Sequence, residues 1–252
     1  VHLTCMQHGA MCLTQFRKSL LLLLTGVLWS LGYSSAWAQG ALAIKINPVF
    51  NGKPLILRNK MYATATGDSV SIDVFKWYMS ALSLSMKKKM VTEPNSYHLI
   101  NADDSSSLIF KWENLPEGSY EMLSFCIGVD SEASVSGALG GALDPALGMY
   151  WAWNTGYIDA KLTGYSPACA TLHHQFEFHI GGYKEPYITL RKVSLPLSSC
   201  SISKGKTTQL VLNADVASWF TGIHLAVTNQ VVLPSVEALF QYRENNIRVK
   251  IL

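Results

Sequence analysis

The chain has 252 residues, of which 49% are hydrophobic and 15% are charged. This composition excludes an intrinsically disordered chain, and after its first stretch the sequence is too polar for a bundle of membrane-spanning helices. The formal net charge is only +3, from 20 basic against 17 acidic residues. Charge therefore gives no reason to expect nucleic-acid binding.

The N-terminal segment has the pattern of a secretory signal peptide. Arg17-Lys18 precede an apolar run from Ser19 to Leu31, and Ala36-Trp37-Ala38 fits the small-x-small cleavage pattern. We expect cleavage after Ala38, which leaves residues 39–252 as a single periplasmic or secreted domain without a membrane span. An uncleaved N-terminal anchor is the alternative, but the apolar run is shorter than the roughly 20 residues that a span needs.

Residues 39–252 contain many short stretches in which apolar and polar residues alternate, as is typical of β-strands. Val70 to Phe75, Ala81 to Met86 and Met149 to Leu162 are each predicted as a strand. Asp130 to Pro145 is rich in Gly, Ala and Ser and is predicted as a long loop. Many short strands without long helices between them predict an all-β protein, an antiparallel β-sandwich. One or two short helices are expected, at Val216 to Phe220 and at Ser235 to Gln241.

Three of the five cysteines lie after the predicted cleavage site. An odd number in an oxidising compartment predicts one disulfide and one remaining thiol. Cys169 and Cys200 both lie in Ser-rich, loop-like sequence and are the predicted pair. Cys126 lies in an apolar strand pattern, so we interpret it as a buried core thiol and not as a metal ligand.

The segment around two tryptophans is the most unusual part of the sequence. By the two-residue period of a strand, Met149, Trp151 and Trp153 lie on one face. For any single Trp, packing in the core is the simpler interpretation.

Histidines occur in two further strand patterns. In the stretch that ends at His179, Phe176, Phe178 and Ile180 share one face, and Glu177 lies with His179 on the other. His98 lies in a separate short strand. Imidazole suits copper and thioether sulfur suits Cu(I), so two histidines and a methionine form a candidate copper set, although a lone strand His is more often structural. The adjacent His173 and His174 are interpreted as surface residues.

Enzyme signatures are missing from the sequence. It contains no GxSxG, HExxH, P-loop, CxxC or CxxCH motif. We therefore predict no catalytic residues and no enzyme activity.

Five segments occur in an order that resembles one known family. They are Phe75 to Leu84, Tyr97 to Ala102, Gly128 to Ser131, Leu143 to Tyr157 and His179 to Gly182, within a resemblance that runs from about Ala43 to Phe220. The family is that of the MbnP-like exported copper-binding proteins, named for a periplasmic protein of the methanobactin operon.

The resemblance implies a periplasmic or secreted β-sandwich that binds copper in copper acquisition or handling. It also implies that one Trp is oxidised to kynurenine by a partner di-haem cytochrome c peroxidase-like enzyme. A structural or adhesive β-sandwich module that binds no metal is the alternative. The residues that the resemblance assigns are His98 and His179 as metal ligands, Trp153 (preferred) or Trp151 as the modified residue, and Asp130 and Asp144 as supporting residues. Met149, in the same Trp-containing segment, is a further candidate supporting residue.

Overall fold

The computed structural model describes residues 39–87, 89–153, 156–235, 238 and 248–251. The predicted signal peptide, residues 1–38, lies outside the described residues, as does most of the helix predicted at Ser235 to Gln241. Among the helices that are described, none is long and apolar enough to cross a membrane.

Most of the longer strands follow the alternating apolar pattern, because their inner-face side chains pack in the core. One short α-helix, α1 (Ser131–Val135), lies within the segment predicted as a loop, and 3-10 helices lie at Ser105–Leu108, Gly141–Leu143, Pro145–Leu147, Leu172–His174 and Val216–Phe220. The strands are β1 (Gln39–Phe50), β2 (Lys53–Pro54), β3 (Tyr62–Ala63), β4 (Ser69–Met86), β5 (Lys89–Thr92), β6 (Tyr97–Asn101), β7 (Ile109–Pro116), β8 (Gly118–Ile127), β9 (Tyr150–Trp151), β10 (Gly156–Tyr157), β11 (Ala160–Tyr165), β12 (Gln175–Ile180), β13 (Arg191–Ile202), β14 (Thr207–Asp215), β15 (Gln230–Val231) and β16 (Arg248–Ile251).

Two sheets face each other, and the predicted all-β sandwich is confirmed. The smaller sheet has the order β16-β14-β1-β2, with β7 also paired to β1. The larger sheet has the order β13-β8-β4-β11-β12-β15, and β3, β5 and β6 also pair with β4. Pairing is mainly antiparallel, with parallel pairs at β1–β14 and β12–β15. The inner faces enclose one large hydrophobic core.

The long strand β4 joins two stretches that the sequence predicts as separate strands. Its register with β11 shifts once, and its register with β8 shifts again at Ala81, which has a positive φ of 51°. Each bulge adds one residue and moves the inward face by one position. Phe75, Trp77 and Met79 therefore face the core in the middle of β4, and Leu82 and Leu84 do so after Ala81.

A second hydrophobic cluster covers the outer face of the larger sheet, around Tyr78. We call the segment 129–158, which contributes most of this cluster, the outer layer. Here the prediction of one strand from Met149 to Leu162 is wrong: the chain forms the β9–β10 hairpin, turns at Asp159 and only then enters β11. The turn allows the Trp-containing segment to fold back over the sheet.

The predicted disulfide is also wrong, because Cys169 and Cys200 are both buried free thiols. Cys200 lies in β13, near the C-terminal end of β4 that carries Met86. Cys169 lies just after β11, whose last residue pairs with Ser71 near the N-terminal end of β4. Roughly 50 Å of extended chain separates these two ends of β4 at about 3.3 Å per residue. A disulfide needs Cα atoms within about 7 Å.

The third thiol lies in a strand as predicted, but it does not face the core. Phe125 and Ile127 are buried on the inner face of β8, and Cys126 between them is half-buried on the outer face. Burial raises the pKa of the Cys126 thiol.

A buried carboxylate joins the outer layer to the larger sheet. Asp159 is 2% exposed, and its carboxylate accepts hydrogen bonds from the Val129 amide at 2.8 Å and from the Thr189 hydroxyl. Its backbone carbonyl accepts a further bond from the Tyr78 amide. Burial raises the pKa of Asp159 to about 7, although the two hydrogen bonds to the carboxylate act in the opposite direction.

Replacing Asp159 with Asn should remove a pH dependence of stability. The folded protein binds a proton at Asp159 up to about pH 7, whereas the unfolded chain releases it near pH 3.9. The stability contributed by this proton is therefore present below about pH 4 and is lost as the pH rises through about 7. Urea unfolding should show the wild type losing at most about 4 kcal/mol relative to D159N over that interval. Parallel pH profiles for the two proteins would contradict the assignment.

Candidate metal site

The strand register places His98 and His179 on opposite faces of the larger sheet. His98 in β6 lies opposite Met79, which is buried in the core, so His98 points to the inner face. His179 in β12 lies opposite Lys161, which is opposite Lys76, and these three residues share the outer face. Strands β6, β4, β11 and β12 stand side by side, so about 14 Å of sheet also separates the two histidines. The structure therefore does not bring the two predicted ligands to one ion.

His98 has the contacts of a structural residue. Its Nε2 lies 2.7 Å from Glu93 Oε2, which also accepts a hydrogen bond from the Ser96 hydroxyl. Its ring stacks on Phe110 with the ring centroids 3.8 Å apart. The Nε2 edge of the imidazole is thus occupied by Glu93 and its face by Phe110.

His179 has an unused nitrogen. Its Nε2 is buried, and no described residue supplies it with a hydrogen-bond partner. Burial, and second the charge of Lys161, lower the pKa of His179 to about 4. The imidazole is therefore neutral at physiological pH, which is the form that ligates metal ions.

A cavity of about 400 Å³ brings His179 together with both candidate tryptophans. Trp151 is 6% exposed and Trp153 is 64% exposed, and their ring centroids lie 5.8 Å apart. The predicted common face of Met149, Trp151 and Trp153 is not formed, because β9 ends at Trp151 and the chain turns before Trp153. The cavity is lined by Gly148, Tyr150, Trp151, Trp153, Ile158, Lys161, Glu177, His179, Val232 and Leu233.

The supporting residues predicted from the sequence lie in the outer layer, which positions the tryptophans. Met149 is fully buried there. Asp130 caps α1 by accepting a hydrogen bond from the Ala133 amide, and its other oxygen accepts one from the Tyr97 hydroxyl. Asp144 caps the 3-10 helix Pro145–Leu147 by accepting a hydrogen bond from the Ala146 amide at 2.8 Å. Both carboxylates are therefore used in fixing the backbone of the outer layer.

Two lysines attach the Trp hairpin to the sheet. Lys76 Nζ donates to the Leu147 carbonyl at 3.0 Å, and Lys161 Nζ donates to the Gly148 carbonyl at 3.5 Å. These carbonyls end the 3-10 helix that precedes β9, where Gly148 adopts a left-handed conformation with φ of 74°. Burial and the charge of Lys76 lower the pKa of Lys161. Sequence reasoning missed both lysines.

Gly181, the first glycine of the His-Ile-Gly-Gly segment, packs closely against Trp151. A Cβ on Gly181 would lie 2.6 Å from the Tyr157 carbonyl oxygen and 2.9 Å from Cζ3 of Trp151. The Trp151 ring can therefore lie on the strand end that carries His179 only because residue 181 lacks a side chain.

The other histidines lie elsewhere. His173 and His174 are exposed in a turn with positive φ angles of 58° and 54°. His174 Nδ1 lies 2.7 Å from the Cys169 carbonyl oxygen. Over the described part of the chain, no group of three or more His, Cys, Asp or Glu side chains is arranged to hold a metal ion.

Substituting Gly181 with Ala should displace Trp151 and destabilise the outer layer. The added methyl group overpacks the contact, which typically costs about 1–3 kcal/mol. Gly140→Ala is the matched control, since its Cβ would meet no heavy atom within 4 Å and its φ is −101°; we expect a change within about 0.5 kcal/mol. Urea unfolding followed by Trp fluorescence would measure both, and equal effects would contradict the packing role of Gly181.

Comparison with known proteins identifies the family. The structure is similar to that of MbnP from Methylosinus trichosporium, with a TM-score of 0.53 and 13% sequence identity over 80% of this chain and 87% of that chain. At this identity the similarity establishes a shared fold. Comparison with curated proteins finds no match. A family model described as MbnP matches residues 39–236, which confirms the predicted resemblance: the chain belongs to the MbnP family.

Proposed function

We propose that this protein is an exported, non-catalytic copper-binding protein whose metal site is built on His179 and the neighbouring tryptophans. The proposal rests on two observations: the buried Nε2 of His179 lacks a partner among the described residues, and His179 lines a cavity together with Trp151 and Trp153. A buried polar atom without a partner is costly unless something binds it. Copper accepts imidazole nitrogen readily, so the ion fits this atom.

Membership in the MbnP family supports export to the periplasm and a role in copper acquisition or handling. Copper is then cargo that the protein holds, and no reaction of its own is required.

Trp153 is the better candidate for oxidation to kynurenine. It is 64% exposed, so a partner di-haem cytochrome c peroxidase-like enzyme could reach it, whereas Trp151 is 6% exposed. The conversion breaks the indole Cγ–Cδ1 bond in a four-electron oxidation, for which two equivalents of peroxide used by the partner supply the oxygen atoms. It releases Cδ1 as formic acid, with one water, and leaves a ketone at Cγ and an aryl amine at the former indole nitrogen. Oxygen and nitrogen donors would then lie in the same cavity as His179.

A non-metal structural or adhesive module is the second candidate function. The separation of His98 from His179 favours it, because only one of the two predicted ligands faces the cavity.

Metal analysis and peptide mass spectrometry of the mature protein from its native periplasm would decide between the two functions. Kynurenine replaces one carbon by one oxygen, so the peptide that contains residues 149–157 would show a defined mass increase on Trp153. This modification together with one bound copper is the expected result. An unmodified peptide without copper, in cells that express the partner enzyme, would favour the structural module.

The two histidines should differ sharply when each is replaced by Gln. His179→Gln removes a metal ligand and should lower copper affinity by more than about 100-fold, beyond the usual loss for residues that only support a ligand. His98→Gln should leave copper affinity unchanged and lower stability by about 1 kcal/mol, because its contacts with Glu93 and Phe110 are structural. Competition with a copper chelator measures both affinities. Loss of copper in H98Q with retention in H179Q would reverse the assignment.

A further inference from the structure

The outer face of β12 carries a carboxylate beside the unpartnered imidazole. Glu177 and His179 are two residues apart, so their side chains leave the strand on the same face about 6.6 Å apart along its axis. The register confirms the shared face, because Glu177 lies opposite Thr163 and His179 opposite Lys161 on β11. Both side chains line the same cavity.

Glu177 is half-buried and interacts electrostatically with Lys161, which faces the same cavity. Its backbone is fixed on the far side, where the Glu177 amide donates to the Asn229 carbonyl at 2.8 Å. The Glu177 side chain lines the cavity beside Lys161, which is its counter-charge when no metal is bound. A carboxylate and an imidazole at alternate strand positions are close enough to bind one ion.

We propose that Glu177 is the second metal ligand of this site, in the role that the sequence resemblance gave to His98. The inference rests on the proposed function, because it assumes that His179 binds copper. It follows from three observations: the shared strand face, the common cavity and the buried His179 nitrogen that has no partner in the described structure.

The donor set has a consequence for the oxidation state of the ion. Carboxylate oxygen and imidazole nitrogen suit Cu(II), whereas Cu(I) is favoured by thiolate and thioether sulfur. A site that contains Glu177 and His179 therefore discriminates in favour of the cupric ion.

Glu177→Gln tests the proposal with a side chain of nearly the same shape, and Glu132→Gln is the matched control. Glu132 is an exposed carboxylate in the first turn of α1 and is not among the residues that line the cavity. Each mature protein would be titrated with Cu(II) against a chelator of known affinity, and with Cu(I) under anaerobic conditions. Electron paramagnetic resonance of the Cu(II) forms gives an independent signature of the donor atoms.

We expect E177Q to lose at least about tenfold in Cu(II) affinity, with a changed Cu(II) spectrum and a smaller loss for Cu(I). E132Q should match the wild type. If E177Q matches the wild type while H179Q loses copper, Glu177 is not a ligand and the copper-binding function still stands. If the wild type itself binds neither ion, the proposed function fails and the role of Glu177 fails with it. Thermal unfolding of the metal-free variants checks that each one folds.

Discussion

The packing of the Trp151 ring on the backbone of Gly181 determines where the candidate site lies. It brings the Trp hairpin of the outer layer onto the end of β12, next to His179. The hydrogen bonds from Lys76 and Lys161 hold the start of the same hairpin against β4 and β11. Together these contacts place the imidazole and the two tryptophans around one cavity.

Burial gives this region its chemical character. Desolvation, and second the positive charge of Lys161, lower the pKa of His179 and so keep its imidazole neutral. Its buried Nε2 has no hydrogen-bond partner among the described residues. Desolvation also raises the pKa of Asp159, the carboxylate that ties the Val129 amide and Thr189 together beneath the outer layer. The neutral imidazole can bind a metal ion, whereas Asp159 has both oxygens occupied and serves the fold.

Sequence patterns predicted the fold class and the family, because strand alternation and the Trp-containing motif are local signals. They also placed Glu177 and His179 on one strand face, although only the cavity shows that the carboxylate matters. The separation of His98 from His179 has a different origin. The face on which a strand residue lies depends on its register with neighbouring strands: His98 pairs with Met79, whereas His179 aligns through Lys161 with Lys76, and two β4 residues three positions apart lie on opposite faces. The predicted strand face of Trp153 was wrong because the chain turns directly after β9. The burial of Asp159 could not be predicted, because no local sequence pattern marks it.

Copper-edge anomalous diffraction from a copper-loaded crystal of the mature protein tests the central claim most directly. We expect one anomalous peak in the cavity, within bonding distance of His179 Nε2 and beside Trp153 or its oxidised product. A peak at the His98–Glu93 pair or at His173 and His174, with the cavity empty, would contradict it.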